Sequence, residues 1–438
     1  MTLRTKHILK IVVISSLISA CNFSNSQQNF NSSNRKNESK GQTVDSINKN
    51  TAASNDKKQK SYMDIFNENR ERDNVLYVKN KFMEANVEDN AQNSWNKFQF
   101  LSTFLSKVPD YKLFNELIDN REAKQRDYLG KKIKPLLKEN SAGLHPDYSS
   151  SIRTLDNLFQ RNQVVMMNEL HWHPKHRIFA NKLLNTLKAN NFKYLAIEAV
   201  ERSQVNSLNE RLFPIKKTGF YVQEPYFALL IREAIEQGFK IIGYDDFDVE
   251  NREKEQALNI KKVLKEDPEA KIFVYAGIDH ILESDSNKKR MAEYFYEETK
   301  INPLTLDQVE IAADLEEDIV LLKSDLLPKD EKINANVDYF IVNNIEPDLS
   351  EIYSREELSS YRGNFEVLNN YKDQEIFLSL YFLDEYAKYG MESIPLLNRI
   401  LKVTNSEIKL SLPPGNYQLK IWDKSDQQII SEKIKIRD

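Results

Sequence analysis

Val164-Val165-Met166-Met167-Asn168-Glu169-Leu170-His171-Trp172-His173-Pro174-Lys175-His176 is the stretch on which the reading of this chain turns. Its apolar, β-branched start suits a strand covered on both faces. A helical pattern begins at about 175, so the stretch reads as strand, loop, helix. Similar short runs recur at 194–197, 240–244 and 271–275, separated by helical patterns at 175–190, 224–237 and 252–266, with Gly238 and Pro268 as stop signals. Strand and helix in alternation imply βαβ units with right-handed crossovers. The expected class is therefore α/β, a parallel sheet flanked by helices.

The flanks read differently. Residues 62–160 carry apolar side chains at helical spacing, as in Trp95, Phe98, Leu101, Phe104 and Leu105, and are expected to form a helical N-terminal cap. Beyond 300 a helix is expected around 373–389. The tail from 398 to 436 alternates apolar and polar residues about Pro413-Pro414-Gly415-Asn416, the pattern of a small antiparallel β-rich module. The expected division is 62–300 for the α/β domain with its cap and 301–438 for the C-terminal helix and β-module.

The N-terminus carries Arg4, Lys6 and Lys10, an apolar segment, then Ile18-Ser19-Ala20-Cys21, with Cys21 the only cysteine. This is the plan of a signal peptide, and its apolar part is shorter than the ~20 residues a bilayer-spanning helix needs. The four residues ending in Cys21 resemble the bacterial lipobox, so lipid on Cys21 is expected to hold the protein to a membrane of the cell envelope. Residues 22–60, rich in Asn, Ser, Gln and Lys, cannot bury enough surface to order themselves and read as a tether. Loss of residues 1–20 removes three positive charges, moving the formal charge from −4 to −7. That balance argues against nucleic acid as partner.

In a parallel sheet, ligands bind beyond the carboxyl ends of the strands. Glu169, His171, His173 and His176 follow the first strand, Glu198 the second, Asp245, Asp246 and Asp248 the third, and Gly277-Ile278-Asp279-His280 the fourth. Acid and imidazole groups thus recur at equivalent places in four successive units, which marks a candidate site. Taken singly, His176 is expected at the surface and Trp172 in packing. His171, Glu198 and His280 could ligate a divalent metal, or a Glu and His pair could activate water without one. No nucleophile elbow, P-loop or dinucleotide fingerprint is present.

These motifs resemble the superfamily that joins the erythromycin-esterase-like proteins, the ChaN-like haem-binding lipoproteins and the TraB/Tiki proteins. The family's Gly-Glu-x-His, Pro and His motif is similar to 168–176, with Asn168 in place of Gly. Its strand-ending acid corresponds to Glu198, and its middle section to Thr218-Gly219, Glu224-Pro225-Tyr226-Phe227 and Ile242-Gly243-Tyr244-Asp245. Arg252 and Asn259 fit its arginine-bearing helix, and Gly277-Ile278-Asp279-His280 its closing Gly-x-x-His. The resemblance spans about residues 160–300. It implies three open readings: a hydrolase in which Glu169 and His171 prepare water while Glu198 and His280 orient it or hold a metal; a haem-uptake protein using a Tyr or His ligand; or a scaffold acting through its β-module. His173, Asp245 and Arg252 are the expected cofactor contacts. A small molecule, a peptide or haem is the expected partner.

Overall fold

The computed structural model describes residues 60–246, 249–284, 288–330, 333 and 335–437. The leader, Cys21, nearly all of the expected tether and Asp248 lie outside the described residues. The chain begins with α1 (Tyr62–Asn69), α2 (Val75–Glu84), α3 (Ala91–Leu105) and α4 (Lys112–Lys138). There follow β1 (Leu144–His145), α5 (Tyr148–Arg161), β2 (Val164–Glu169), α6 (Pro174–Ala189), β3 (Phe192–Ile197) and α7 (Val205–Arg211). Next come α8 (Pro225–Glu236), β4 (Lys240–Gly243), α9 (Arg252–Glu266), β5 (Lys271–Gly277) and α10 (Met291–Thr299).

The strands and helices expected between 164 and 277 are present almost residue for residue. Pro174 and Pro225 open α6 and α8, and Gly238 follows α8 with φ of 83°, a left-handed turn that glycine adopts without strain. On β2, Val165 and Met167 face one apolar layer, Val164 and Met166 the other, so both faces are covered. The first layer is built with α5, α6 and α8, the second with α9, α10 and the latter half of α4.

The sheet is mixed rather than wholly parallel. β6 (Leu304–Asp307), β7 (Ile319–Lys323) and β8 (Tyr339–Asn343) join it, giving the order β1-β7-β8-β6-β2-β5-β3-β4. Strands β8 through β4 in that order are parallel, while β7 is antiparallel to β8 and β1 to β7. The sheet therefore continues past residue 300, and the boundary drawn there falls inside it. An antiparallel neighbour needs no crossover helix, so β7 and β8 lack the alternating signal that betrayed β2 to β5.

The C-terminal region forms β9 (Ser359–Asn364), β10 (Glu375–Phe382), α11 (Leu383–Tyr389), β11 (Leu397–Lys402), β12 (Glu407–Leu412), β13 (Gly415–Trp422) and β14 (Gln428–Ile436). A four-stranded antiparallel sheet has the order β11-β10-β13-β14, and β12 pairs with β9. The helix expected over 373–389 is a strand in its first half. Ile376, Leu378 and Leu380 of β10 join the layer of α6 and α8, while Phe377 and Tyr381 join the aromatic cluster of α1, α2 and α3. A strand buried on both faces shows no alternation, and its unbroken apolar run is indistinguishable from a helix segment.

The N-terminal helices thus sit on the C-terminal sheet, with Phe66, Phe82, Phe100 and Phe104 fully buried beside Phe377 and Trp422. None of the described helices is long and apolar enough to cross a membrane. Phe377→Ala should cost about 3–5 kcal/mol by urea denaturation. Hydrogen exchange should quicken in residues 62–105 more than in β2 or β5; equal loss of protection everywhere would show that the helices do not depend on β10.

Candidate functional site

The strand order decides the site. β5 lies between β2 and β3, so its last residue, Gly277, has Glu169 of β2 as register partner and Glu198, just beyond β3, as neighbour on the other side. The Gly277 N–H donates to Glu198 Oε2. A Cβ on Gly277 would stand 2.7 Å from Cε1 and 3.0 Å from Nε2 of His171, and 2.9 Å from Glu198 Oε2. Only glycine lets the imidazole and the carboxylate converge here. His171, Glu198 and the Gly277 backbone thus lie together at one rim.

On the β2 side, Glu169 is locked. Arg177 of α6 is fully buried and donates Nε to Glu169 Oε2 at 2.8 Å, Nη2 to Oε1 at 3.2 Å, and Nη1 to Glu224 Oε2 at 2.9 Å. Its Nη2 also donates to the His171 carbonyl at 2.7 Å. Glu224 caps α8, accepting from the N–H groups of Tyr226 and Phe227 at 2.9 Å each. Burial alone would raise the Glu169 carboxyl, but Arg177 and His171 overcome it and hold it below the usual range.

Ionised Glu169 accepts from His171 Nδ1 at 3.0 Å. This fixes the imidazole tautomer and leaves Nε2 as the basic nitrogen. Nε2 makes no hydrogen bond among the described residues, and Tyr221 stacks on the ring at 4.0 Å between centroids. The His171 side chain keeps 13% of its surface open, against 3% for Glu169, so the imidazole is the member of the pair that solvent can reach. Burial, with Glu169 beside it, pushes the Tyr275 phenol in the same neighbourhood well up.

On the β3 side, Arg252 Nη2 donates to Glu198 Oε1 and to Asp245 Oδ2, each at 2.6 Å. His280 is held at both ring nitrogens, Nδ1 by Glu253 Oε2 at 2.8 Å and Nε2 by Glu198 Oε1 at 3.2 Å. Burial opposes its charge, yet Glu198 and Glu253 prevail and push His280 up to about 10, so it is an imidazolium at neutral pH. Burial likewise works against the charge on Glu198, and His280, Arg252 and His171 together hold that carboxyl well below the usual range.

Several expected roles do not fit this geometry. In the expected metal set, both ring nitrogens of His280 are engaged by carboxylates and both Glu198 oxygens accept hydrogen bonds, so neither stands open to a metal in this arrangement. Among the described residues no group of three or more His, Cys, Asp or Glu could hold a metal ion. His173 turns away from the rim and donates Nε2–H to Glu122 of α4 at 2.5 Å, tying α4 to the loop after β2. Asp245 and Arg252 neutralise each other, with Gln256 donating to Asp245 at 2.7 Å, and offer no open cofactor contact.

His176 is buried rather than exposed, its Nδ1 accepting the Leu170 N–H at 3.0 Å. Trp172 packs as expected, edge-on to Trp95 and Phe98. The buried Asn168 amide donates to Asp307 at 2.6 Å and to the Ile278 carbonyl at 2.7 Å. A haem ligand would have to come from His171 Nε2, which lies against the Gly277 backbone and Glu198, or from Tyr221, whose phenol burial pushes well up so that it stays protonated. Arg177, Glu224, Tyr221 and Glu253 were not singled out as site residues. An arginine on the apolar side of α6, beside Ile178, was the one signal that could have exposed its ion pair.

No family model matches the chain, and no curated protein matches it. Among solved structures, the type III effector HopBA1 is similar with a TM-score of 0.33 and 14% identity, over 44% of this chain and 92% of that one. The heme-binding ChaN of Campylobacter jejuni gives 0.28 and 12%, over 44% and 91%. RRSP, a MARTX toxin effector domain from Vibrio vulnificus CMCP6, gives 0.27 and 11%, over 57% and 55%. Likeness this distant carries no argument about the site, which stands on its own geometry.

The His280 pairing predicts a pH dependence. Its folded value, about 10, lies above the ordinary imidazole value of 6.5, so the stability it adds is complete below about 6.5 and is lost as pH rises through 10. His280→Gln should flatten the fall in melting temperature between pH 7 and 10. An unchanged slope would mean that the imidazolium is not formed.

Proposed function

We propose that the rim above Gly277 is a water-activating, hydrolytic centre in which His171 is the general base. The carrying observation is the chain of contacts Arg177, Glu169, His171: a buried guanidinium fixes a carboxylate, the carboxylate fixes the imidazole by Nδ1, and Nε2 is left without a partner. Proton abstraction from water at Nε2 creates an imidazolium that ionised Glu169 stabilises. Glu169 is then an orienting group and not itself the base, because Arg177 and His171 occupy its oxygens. Glu198, kept ionised by His280 and Arg252, places a second negative charge near the imidazolium that forms on His171. Tyr221 shields one face of the imidazole and restricts the approach of substrate to the other.

His171→Ala and Glu169→Gln should each lower turnover by roughly 10²–10⁴-fold in purified protein screened against chromogenic carboxylic, phosphoric and peptide substrates. Melting should move far less for His171→Ala than for Glu169→Gln, because only the latter disturbs Arg177. Turnover that survives His171→Ala would refute the reading. A Soret band on titration with haem, abolished by the same substitution, would replace it with the binding alternative.

The leader and Cys21 support a lipid anchor at the cell envelope, with the polar segment after it as spacer. Metabolic labelling with an alkyne fatty acid should mark the chain, and Cys21→Ser should remove both the label and membrane association. Labelling that persists in Cys21→Ser would place the anchor elsewhere.

A further inference from the structure

Directly after Gly277 the backbone takes a course that its side chain resists. Ile278 has φ of 34°, in the left-handed region, and is the one β-branched residue there among the described residues. Branching at Cβ makes that conformation unfavourable, so it persists only where the surroundings impose it. The His280 N–H donates to the Gly277 carbonyl at 3.3 Å, which puts Ile278 at the second place of a four-residue turn. Asp279, at the third, keeps a negative φ. Turns with a positive φ at the second place alone favour glycine there.

Side-chain packing does not impose the conformation. The Ile278 side chain is half-buried and joins neither of the apolar layers nor the aromatic cluster. Its two backbone groups are held instead by consecutive residues of β2. The N–H donates to the Glu169 carbonyl at 2.9 Å, continuing the ladder of β2 with β5, and the carbonyl accepts Asn168 Nδ2 at 2.7 Å. Asn168 is itself fixed: it is fully buried, its Nδ2 also donates to Asp307 at 2.6 Å, and its Oδ1 accepts the Gln308 N–H at 2.9 Å. A backbone N–H can only donate, so the amide cannot be turned over, and its second hydrogen is committed to Ile278.

We propose that Asn168 is a positioning residue for the rim: its amide holds Ile278 in the left-handed conformation and so fixes the turn from Gly277 to His280. Both ends of that turn reach Glu198, Gly277 through its N–H and His280 through Nε2. The effect on turnover rests on the reading of His171 as base, since His171 and Glu198 converge on the Gly277 backbone. Without the clamp Ile278 relaxes to a negative φ, the next peptide swings, and His280 leaves the strand in another direction.

Strain at 278 is read from substitutions that leave Asn168 intact. Ile278→Gly should melt above Ile278→Ala, the reverse of the usual order, because only glycine takes a positive φ freely. A higher melting temperature for Ile278→Ala would overturn the proposal. The clamp is read by NMR on protein labelled at alanine carbonyl carbons and glycine nitrogens, which selects Gly143 and Gly277, the two glycines that follow alanine. The Gly277 amide proton, bonded to an ionised carboxylate, should resonate far downfield. Asn168→Ala should move it back toward ordinary values and lower His171-dependent turnover by about 10²-fold, and adding Ile278→Gly should restore both. An unmoved signal in Asn168→Ala, or one that Ile278→Gly fails to restore, would show that Asn168 does not act through Ile278. Should Asn168→Ala not fold, recovery of the fold on adding Ile278→Gly supports the clamp, and its failure counts against it. The amide signal needs no substrate, so it decides the clamp even if turnover proves independent of His171.

Discussion

The structure around the rim hangs on one buried cation. Arg177 has no exposed surface, and a guanidinium in that position is tolerable only when its charge and its N–H groups are met. Glu169 at the end of β2 and Glu224 at the start of α8 meet them, so a strand end and a helix cap far apart in sequence are joined through one side chain. Removing either acid would leave the cation short of a partner, and removing the cation would leave two carboxylates buried together. Because the same guanidinium also binds the His171 carbonyl, the direction in which the loop after β2 leaves the sheet is set by the pairing.

A second charged cluster mirrors the first across β5. Arg252 joins Glu198 to Asp245, and His280 joins Glu198 to Glu253. The two clusters touch at Gly277, where a side chain of any size would push His171 and Glu198 apart. The rim is therefore arranged as opposed ion networks with a bare backbone between them. That division explains why His171 stays comparatively free while His280, its counterpart in the sequence motif, is bound at both nitrogens.

Much of this could be read in the residues. The strands β2 to β5 and the helices between them were legible because short β-branched or aromatic runs alternate with amphipathic stretches, and Gly238 and Pro268 mark two of the helix ends. Convergence of Glu169, His171, Glu198 and His280 followed from their shared place after parallel strands. Which partner each would choose was not legible. His173 stands two residues from His171 and yet binds Glu122, fifty-one positions earlier, because the loop turns its ring toward α4. The double burial of β10 and the antiparallel β7 and β8 escaped notice because their neighbours come from distant segments that no local pattern encodes.

The seating of α1 to α3 on the C-terminal sheet has a consequence for how the chain is made. Their aromatic faces close against Phe377, Tyr381, Ile400 and Trp422, residues made long after the helices themselves. Until then the first helices have nothing to fold upon, and contacts spanning almost the whole polypeptide form slowly. The helices therefore gain their packing partner only once the C-terminal sheet has been made.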